Sequence, residues 1–513
     1  MGARRTILRG LGATLLLGGA AAAVAAATQY PPAAFDDGMD LLRSVQVPAG
    51  ATTLVCPGAP ELPADAVAYD ADFNAVPVEA TARLALASFP RGGDSATEPG
   101  AGSFHPALGA VPQGFAGEGA TSIGVEPFAE VSTATIEPIG EEAALASGAG
   151  VWRVDAGDLR SLVASPCLAP ASEAWLVGGA TTIGRSAVLE LTNAGQTTVT
   201  VSVEGWGPTG KVDLPLLTAV SLAPLSTTQV LLEANAMDLE RLALHVTATG
   251  GRITATILDT ALDGLTPRGV DLVVPTLAPA TELVIPGVAL GDPAATDPAS
   301  AATLLRLANP GAESATASVE LVGADGVVAI PGAEGITIDA GAVFDITLAG
   351  LPAGEYAVHV TSDQPLAGAV QTARSATSVD AVAGDGAVAI DRAWSVATAA
   401  ATTGSMVLPG LDRPVTAARL LLTNTGGDDA VVRLTPYAAN GVAAAVREVR
   451  VPAGMTVSAD LAGSFALVLD STQPVHAAAV LSAAAADGEL IAVLPASADA
   501  TTRLTIGVLV AGR

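Results

Sequence analysis

The chain has 513 residues; half are hydrophobic but only 3% aromatic, and 51 acidic against 23 basic residues give a formal charge of −28. That length exceeds a single core and sets three to five domains as the expectation, and the apolar fraction excludes a disordered chain. The charge excludes nucleic acid and anionic lipid as partners and keeps the protein soluble.

Residues 1–27 read as a signal peptide or membrane anchor helix. Arg4, Arg5 and Arg9 precede an uncharged Gly/Ala/Leu run from Gly10 to Ala27, and Ala25-Ala26-Ala27 offers a small-residue cleavage site. The arginines stay inside, so everything after residue 30 is expected outside the membrane. Residues 28–42 follow as a Pro- and Asp-containing stalk. A first β domain is expected over 43–170, with strand-like runs at 44–47, 52–55 and 83–87. Nine Gly and four Pro between residues 90 and 124 predict a long mobile loop there. Cys56 and Cys167 are the only cysteines. An exported chain with an even count predicts a disulfide between them, with two free thiols as the alternative. Neither lies in Cys-x-x-Cys or beside a His, which argues against metal or thiol chemistry.

From residue 171 one plan recurs three times. Leu191-Thr192-Asn193-Ala194-Gly195, Leu307-Ala308-Asn309-Pro310-Gly311 and Leu422-Thr423-Asn424-Thr425-Gly426 stand 116 and 115 residues apart, Asn to Asn. A second glycine follows each Asn by 17 residues, at Gly210, Gly326 and Gly441. Two markers in constant register mean one supersecondary unit used repeatedly, and predict domains at 171–275, 276–395 and 396–513. In the middle copy, strands are expected at 282–285, 303–308, 317–322, 327–330, 343–348, 356–361 and 366–372, with Asp325-Gly326 as a hairpin turn. Seven short strands per copy predict an all-β chain of tandem immunoglobulin- or fibronectin-like β-sandwiches. Asn193, Asn309 and Asn424 are expected to hydrogen-bond their own backbone in a turn, with Gly195, Gly311 and Gly426 taking positive φ. Residues 264–271 read as a folded elbow between the first and second copies. Pro267 fixes the chain there, and Arg268 and Asp271 supply charge, with Arg268 pairing to a carboxylate or to carbonyls. That elbow predicts a partly rigid row of domains reaching on the order of 100 Å from the membrane.

Val55-Cys56-Pro57-Gly58, Ala156-Gly157-Asp158-Leu159-Arg160 leading to Pro166-Cys167, Gly178-Gly179-Ala180-Thr181-Thr182, and 264–271 (GLTPRGVD) carry a resemblance. Together they resemble an actinobacterial exported family of unknown function. The resemblance implies an envelope location and assigns no catalytic or binding residue.

Chemistry-bearing patterns are few. Asp70-Ala71-Asp72-Phe73-Asn74 opens like a calcium loop, but Ala75 stands where Gly is wanted and Thr81 where Glu is. An acidic turn is the plainer reading. Gly384-Asp385-Gly386 matches a dinucleotide fingerprint as text but has no helix after it. His245 and His359 share a repeat position, with Leu467 in the third copy, and are expected on the surface. His105 lies on the predicted loop. Trp206, between two glycines, is the one candidate platform for a sugar, with packing the plainer reading. No cofactor or metal site is expected.

These features predict a non-catalytic extracytoplasmic protein, membrane-anchored or secreted, that acts as a spacer or binding scaffold for an envelope protein or glycan. It would meet the membrane only through its N-terminal segment. The alternatives are an extracellular hydrolase using His105 and nearby carboxylates, and a calcium-stiffened adhesin using Asp70, Asp72 and Asn74.

Overall fold

A computed structural model describes residues 42–46, 49–61, 80–91, 98–264, 266–291, 302–376, 388–410, 414–499 and 505–509. The expected signal helix, the stalk up to residue 41, the calcium-like loop and Gly384-Asp385-Gly386 lie outside the described residues. The described chain is all-β, its strands joined by turns and two short 3-10 segments. Contacts divide it into two units. The smaller holds an antiparallel pair, Leu42–Gln46 with Thr505–Leu509, that joins the two ends of the chain. The larger runs from Gly50 to Thr501.

Alternation builds the sheets of the larger unit. In Val199–Gly207, Val201 and Val203 are buried while Thr200 and Glu204 face out. A five-stranded and a four-stranded sheet form around that pattern in the second module, residues 171–275. One has the order Glu173–Val177, Ala243–Thr249, Val199–Gly207, Gly210–Val212, with Val220–Leu222 also paired to Val199–Gly207. The other runs Ser226–Leu231, Arg185–Asn193, Thr254–Asp263, Thr266–Val273. Modules three and four repeat this order, with the long strands Gly354–Ser375 and Ala466–Ala485 passing through both sheets.

The first module has the same topology, which its sequence does not announce. Thr52–Cys56, Ser132–Ile136, Gly102–His105 and Gln113–Gly114 form one sheet. Thr121–Val125, Thr81–Phe89, Leu145–Val154 and Ser161–Pro166 form the other. Residues 98–124, read from sequence as part of a mobile loop, therefore supply three strands. Some of their glycines answer to packing: a Cβ on Gly102 would lie 2.3 Å from the Phe115 ring.

The marker asparagines brace the turns in one way. Asn309 is fully buried; its Nδ2 donates to the carbonyls of Glu313, Ile338 and Asp339 at 2.8–3.2 Å, and its Oδ1 accepts Gly311 N at 3.0 Å. Asn193 makes the equivalent four bonds, and Asn424 makes three. The turn reading holds, but Gly195, Gly311 and Gly426 do not take positive φ. A Cβ there would instead fall 3.1 Å from the Asn oxygen. Asn309→Ala should cost about 2–3 kcal/mol, because it leaves several buried carbonyls without donors. A urea midpoint within error of the parent would contradict the brace.

The modules do not stand in a row. The last strand of each, namely Ser161–Pro166, Thr266–Val273, Ile390–Val396 and Gly488–Pro495, packs on the next, and the fourth returns to the first. Four sheets thus meet at a centre in the manner of a four-bladed propeller. Apolar clusters run through every joint: Val188, Leu258 and Leu272 of the second module join the core of the first. Likewise, Trp394 and Val396 of the third join the second, and Ala289 meets Ile491 and Val493 of the fourth. The expectation of separate tandem sandwiches is met in its all-β part, while the extended row is replaced by a closed ring. Residues 266–271 are not an elbow; they open the central strand of the second module.

Candidate functional site

The four central strands are almost wholly buried, yet they and their neighbours carry charge. Buried charges need partners, and here many of the partners come from other modules. Trp394 N donates to Asp271 Oδ2 at 2.6 Å and its Nε1 to Asp259 Oδ2 at 2.9 Å. Arg392 reaches Gln371 Oε1 at 2.9 Å, Gly269 O at 3.1 Å and Asp259 at 3.4 Å. Asp391 Oδ2 accepts Leu162 N of the first module at 3.2 Å and Ile491 N of the fourth at 2.8 Å. One carboxylate thus ties three modules.

Burial pushes the Asp259 carboxyl up, but the Arg392 and Arg185 charges and the Trp394 N–H outweigh it and hold it below the usual range. Burial, then Arg392, pulls Arg185 down to about 10, against the attraction of Asp259. Around this centre, Arg306 grips Asp345 through two bonds of 2.8 and 2.9 Å and donates to Gly179 O of the second module at 2.5 Å. Arg160, 2% exposed, donates to Asp487 of the fourth module at 2.8 Å.

The seam between the first and fourth modules closes the ring. Glu118 N and Ala120 N donate to Asn440 O and Gly441 O at 3.1 and 3.0 Å, and Ser122 Oγ donates to Ala439 O. Arg91 holds Asp499 by two bonds of 2.7 and 2.9 Å. Phe89 tilts against Tyr437 with ring centroids 5.4 Å apart. Beside these contacts lies a groove of about 580 Å³, walled by Arg83, Val125, Glu126, Leu408, Pro409 and Phe465. Gly441 has φ +83, and a Cβ on it would fall 1.9 Å from Ala120 O, whereas its counterpart Gly326, at φ +103, has open space. Gly441→Ala should therefore cost about 1–2 kcal/mol more than Gly326→Ala, since both bear the backbone strain but only one loses the seam. Equal unfolding midpoints would contradict that difference.

The residues singled out by sequence fall as follows. Cys56 and Cys167 are bonded inside the first module's core. Arg268 donates to Asp263 at 2.7 Å and to Val388 O of the third module at 3.3 Å, so the expected carboxylate and carbonyl partners are present. Asp271 is not its partner; it lies at the centre. Trp206 is 5% exposed and stacked on Trp175 at 5.3 Å, with Gly341 of the third module close by, so its face is packed rather than offered to a sugar.

His245 lies 3.5 and 3.9 Å from Glu173 and Glu204, and His359 lies 3.1 and 2.9 Å from Glu282 and Glu320. The equivalent residue in the fourth module is Val468, not Leu467. His359 and Val468 each stand three residues before a serine, Ser362 or Ser471, that makes the same turn bond. Val468 joins the apolar seam with the first module. His105 Nδ1 lies 2.8 Å from Ala110 O, a carbonyl of its own segment. Burial pushes His476 down to about 4. Among the described residues, no group of three or more His, Cys, Asp or Glu is placed to hold a metal.

Asp259, Arg306, Asp391 and Arg392 escape sequence reasoning. Their one signal is charge inside otherwise apolar runs, as in Ile390-Asp391-Arg392-Ala393-Trp394.

The family of unknown function DUF5719 matches the chain over residues 123–404 and again over 394–511, and the chain belongs to that family. The second match, over the fourth module, agrees with the internal repetition. No curated protein matches the chain.

Proposed function

We propose that the protein is a non-catalytic, extracytoplasmic binding scaffold of the cell envelope, presenting a rigid acidic ring to a protein or glycan. The observation that carries this reading is ring closure. Four modules joined through a shared buried centre and a bonded seam form one body, and a body of fixed shape loses little freedom when it binds. The Cys56–Cys167 disulfide supports an oxidising compartment. So does the basic, then apolar, N-terminal segment, and the resemblance to actinobacterial exported proteins points the same way. Closure removes the support for a spacer role, which needs reach.

The concave surface best suited to a partner is the seam groove. Gly124 lines it, and a Cβ there meets nothing within 4 Å. Gly124→Trp is therefore expected to fill the groove while the fold holds. Proximity labelling in the native host, with the labelling enzyme fused after residue 513, should mark a reproducible set of envelope neighbours. The Gly124→Trp variant should lose part of that set. Labelling confined to cytoplasmic proteins would sink the location and the scaffold together; an unchanged set would sink the groove.

A further inference from the structure

The ring centre holds more acid than its arginines serve. Arg160 is committed to Asp487, and Arg306 to Asp345. Arg392 and Arg185 both turn to Asp259, at 3.4 and 3.6 Å. Asp271 and Asp391 are left with backbone donors alone. Trp394 N and Leu272 N serve the first; Leu162, Ile491 and Arg392 N–H groups serve the second. Oδ1 of each is buried with no hydrogen-bond partner. The two carboxyls also oppose one another, and Asp259 adds to the repulsion on Asp271.

We propose that Asp271 and Asp391 form a proton-operated latch: carrying protons they let the four central strands close, and ionised they push them apart. An unpaired carboxylate in a dry interior takes a proton in place of a missing cation. Burial pushes Asp391 up to about 7, with the Ile491 and Leu162 N–H groups and the Arg160 charge opposing without prevailing. Burial also drives Asp271 well above the ordinary carboxylate range.

The sign follows. Unfolded, both groups ionise near 3.8; folded, Asp391 keeps its proton to about 7. Across that window the closed ring binds more protons than the open chain, so closure weakens as pH rises. The Asp391 share is on the order of 10³-fold in the folding equilibrium constant. Asp259 works the other way, losing its contribution only as pH falls below the ordinary carboxylate range. Repulsion within the −28 surface charge also favours lower pH, so only a difference between variants isolates the latch.

The test compares the whole disulfide-bonded protein with Asp391→Asn in urea from about pH 5 to about pH 8. The variant should lose on the order of tenfold less folding constant per pH unit up to about pH 7, and should exceed the parent at the alkaline end. Parallel curves would overturn the proposal. If the variant does not fold, the parent still decides. Its infrared spectrum should show a protonated carboxyl band at about pH 5.5 that fades by about pH 8 while the sheet bands persist. Amide exchange at Leu162 and Ile491, corrected for intrinsic chemistry, should quicken over the same range. A folded protein with no such band at the acid end would refute the latch.

Discussion

Replacing Arg392 with methionine should destabilise the protein by about 3–5 kcal/mol at neutral pH, the cost typical of removing one partner from a buried ion pair. Methionine fills much of the volume, so the loss reports charge and hydrogen bonds more than a cavity. Arg392 is 2% exposed and Asp259 is fully buried. Without the guanidinium, Asp259 keeps Arg185 at 3.6 Å, the Trp394 indole N–H and the Arg306 charge. Gln371 Oε1 and Gly269 O lose their donor as well. Lysine should not rescue, because one ammonium does not reach three acceptors set around a planar fork. Gly269 has φ +99, and a Cβ there would sit 2.8 Å from Arg392 Cγ, so the strands are built around this side chain. Urea unfolding of Arg392→Met gives the number, and a loss below about 1 kcal/mol would mean the centre tolerates an unpaired acid.

Removing the disulfide with Cys56→Ala and Cys167→Ala together should cost about 4–5 kcal/mol, the chain-entropy value for so long a loop. The two cysteines are 111 residues apart and clasp the first strand of the first module to the segment after its last. This module most needs a clasp. Where Arg185–Asn193 and Ala417–Asn424 end in the buried asparagine, its own strand Thr81–Phe89 ends in Phe89, and the brace is missing. The loss should fall first on the seam, because Phe89 also packs against Tyr437 of the fourth module. Equal unfolding midpoints for the oxidised protein and the double variant would show that the bond adds nothing.

How much of this was legible follows from where each signal lies along the chain. The Asn brace is local: its partners are four residues and about thirty residues away, so the phrase recurs intact and announces the repeat. The alternating outer strands were equally readable, and all seven runs expected in the third module fall within or against observed strands. The first module hid its kinship because Phe89 stands where the marker Asn should be. The central strands hid for another reason. They are buried on both faces, so they lack alternation. Asp271 reads from sequence as part of an elbow, because its partner Trp394 lies 123 residues ahead. Ring closure is more remote still: Leu162 finds Asp391 across 229 residues, and Arg91 finds Asp499 across 408. Nothing in a local window reports such pairs.

Small-angle X-ray scattering of residues 50–501 tests the closed ring most directly. Closure predicts one compact particle with a radius of gyration of about 22 Å, the value expected for a single globule of that length. Four modules of about 13 Å strung in a row would instead give roughly 40 Å. A value near the first supports a shared centre and a closed seam; a value near the second would contradict both.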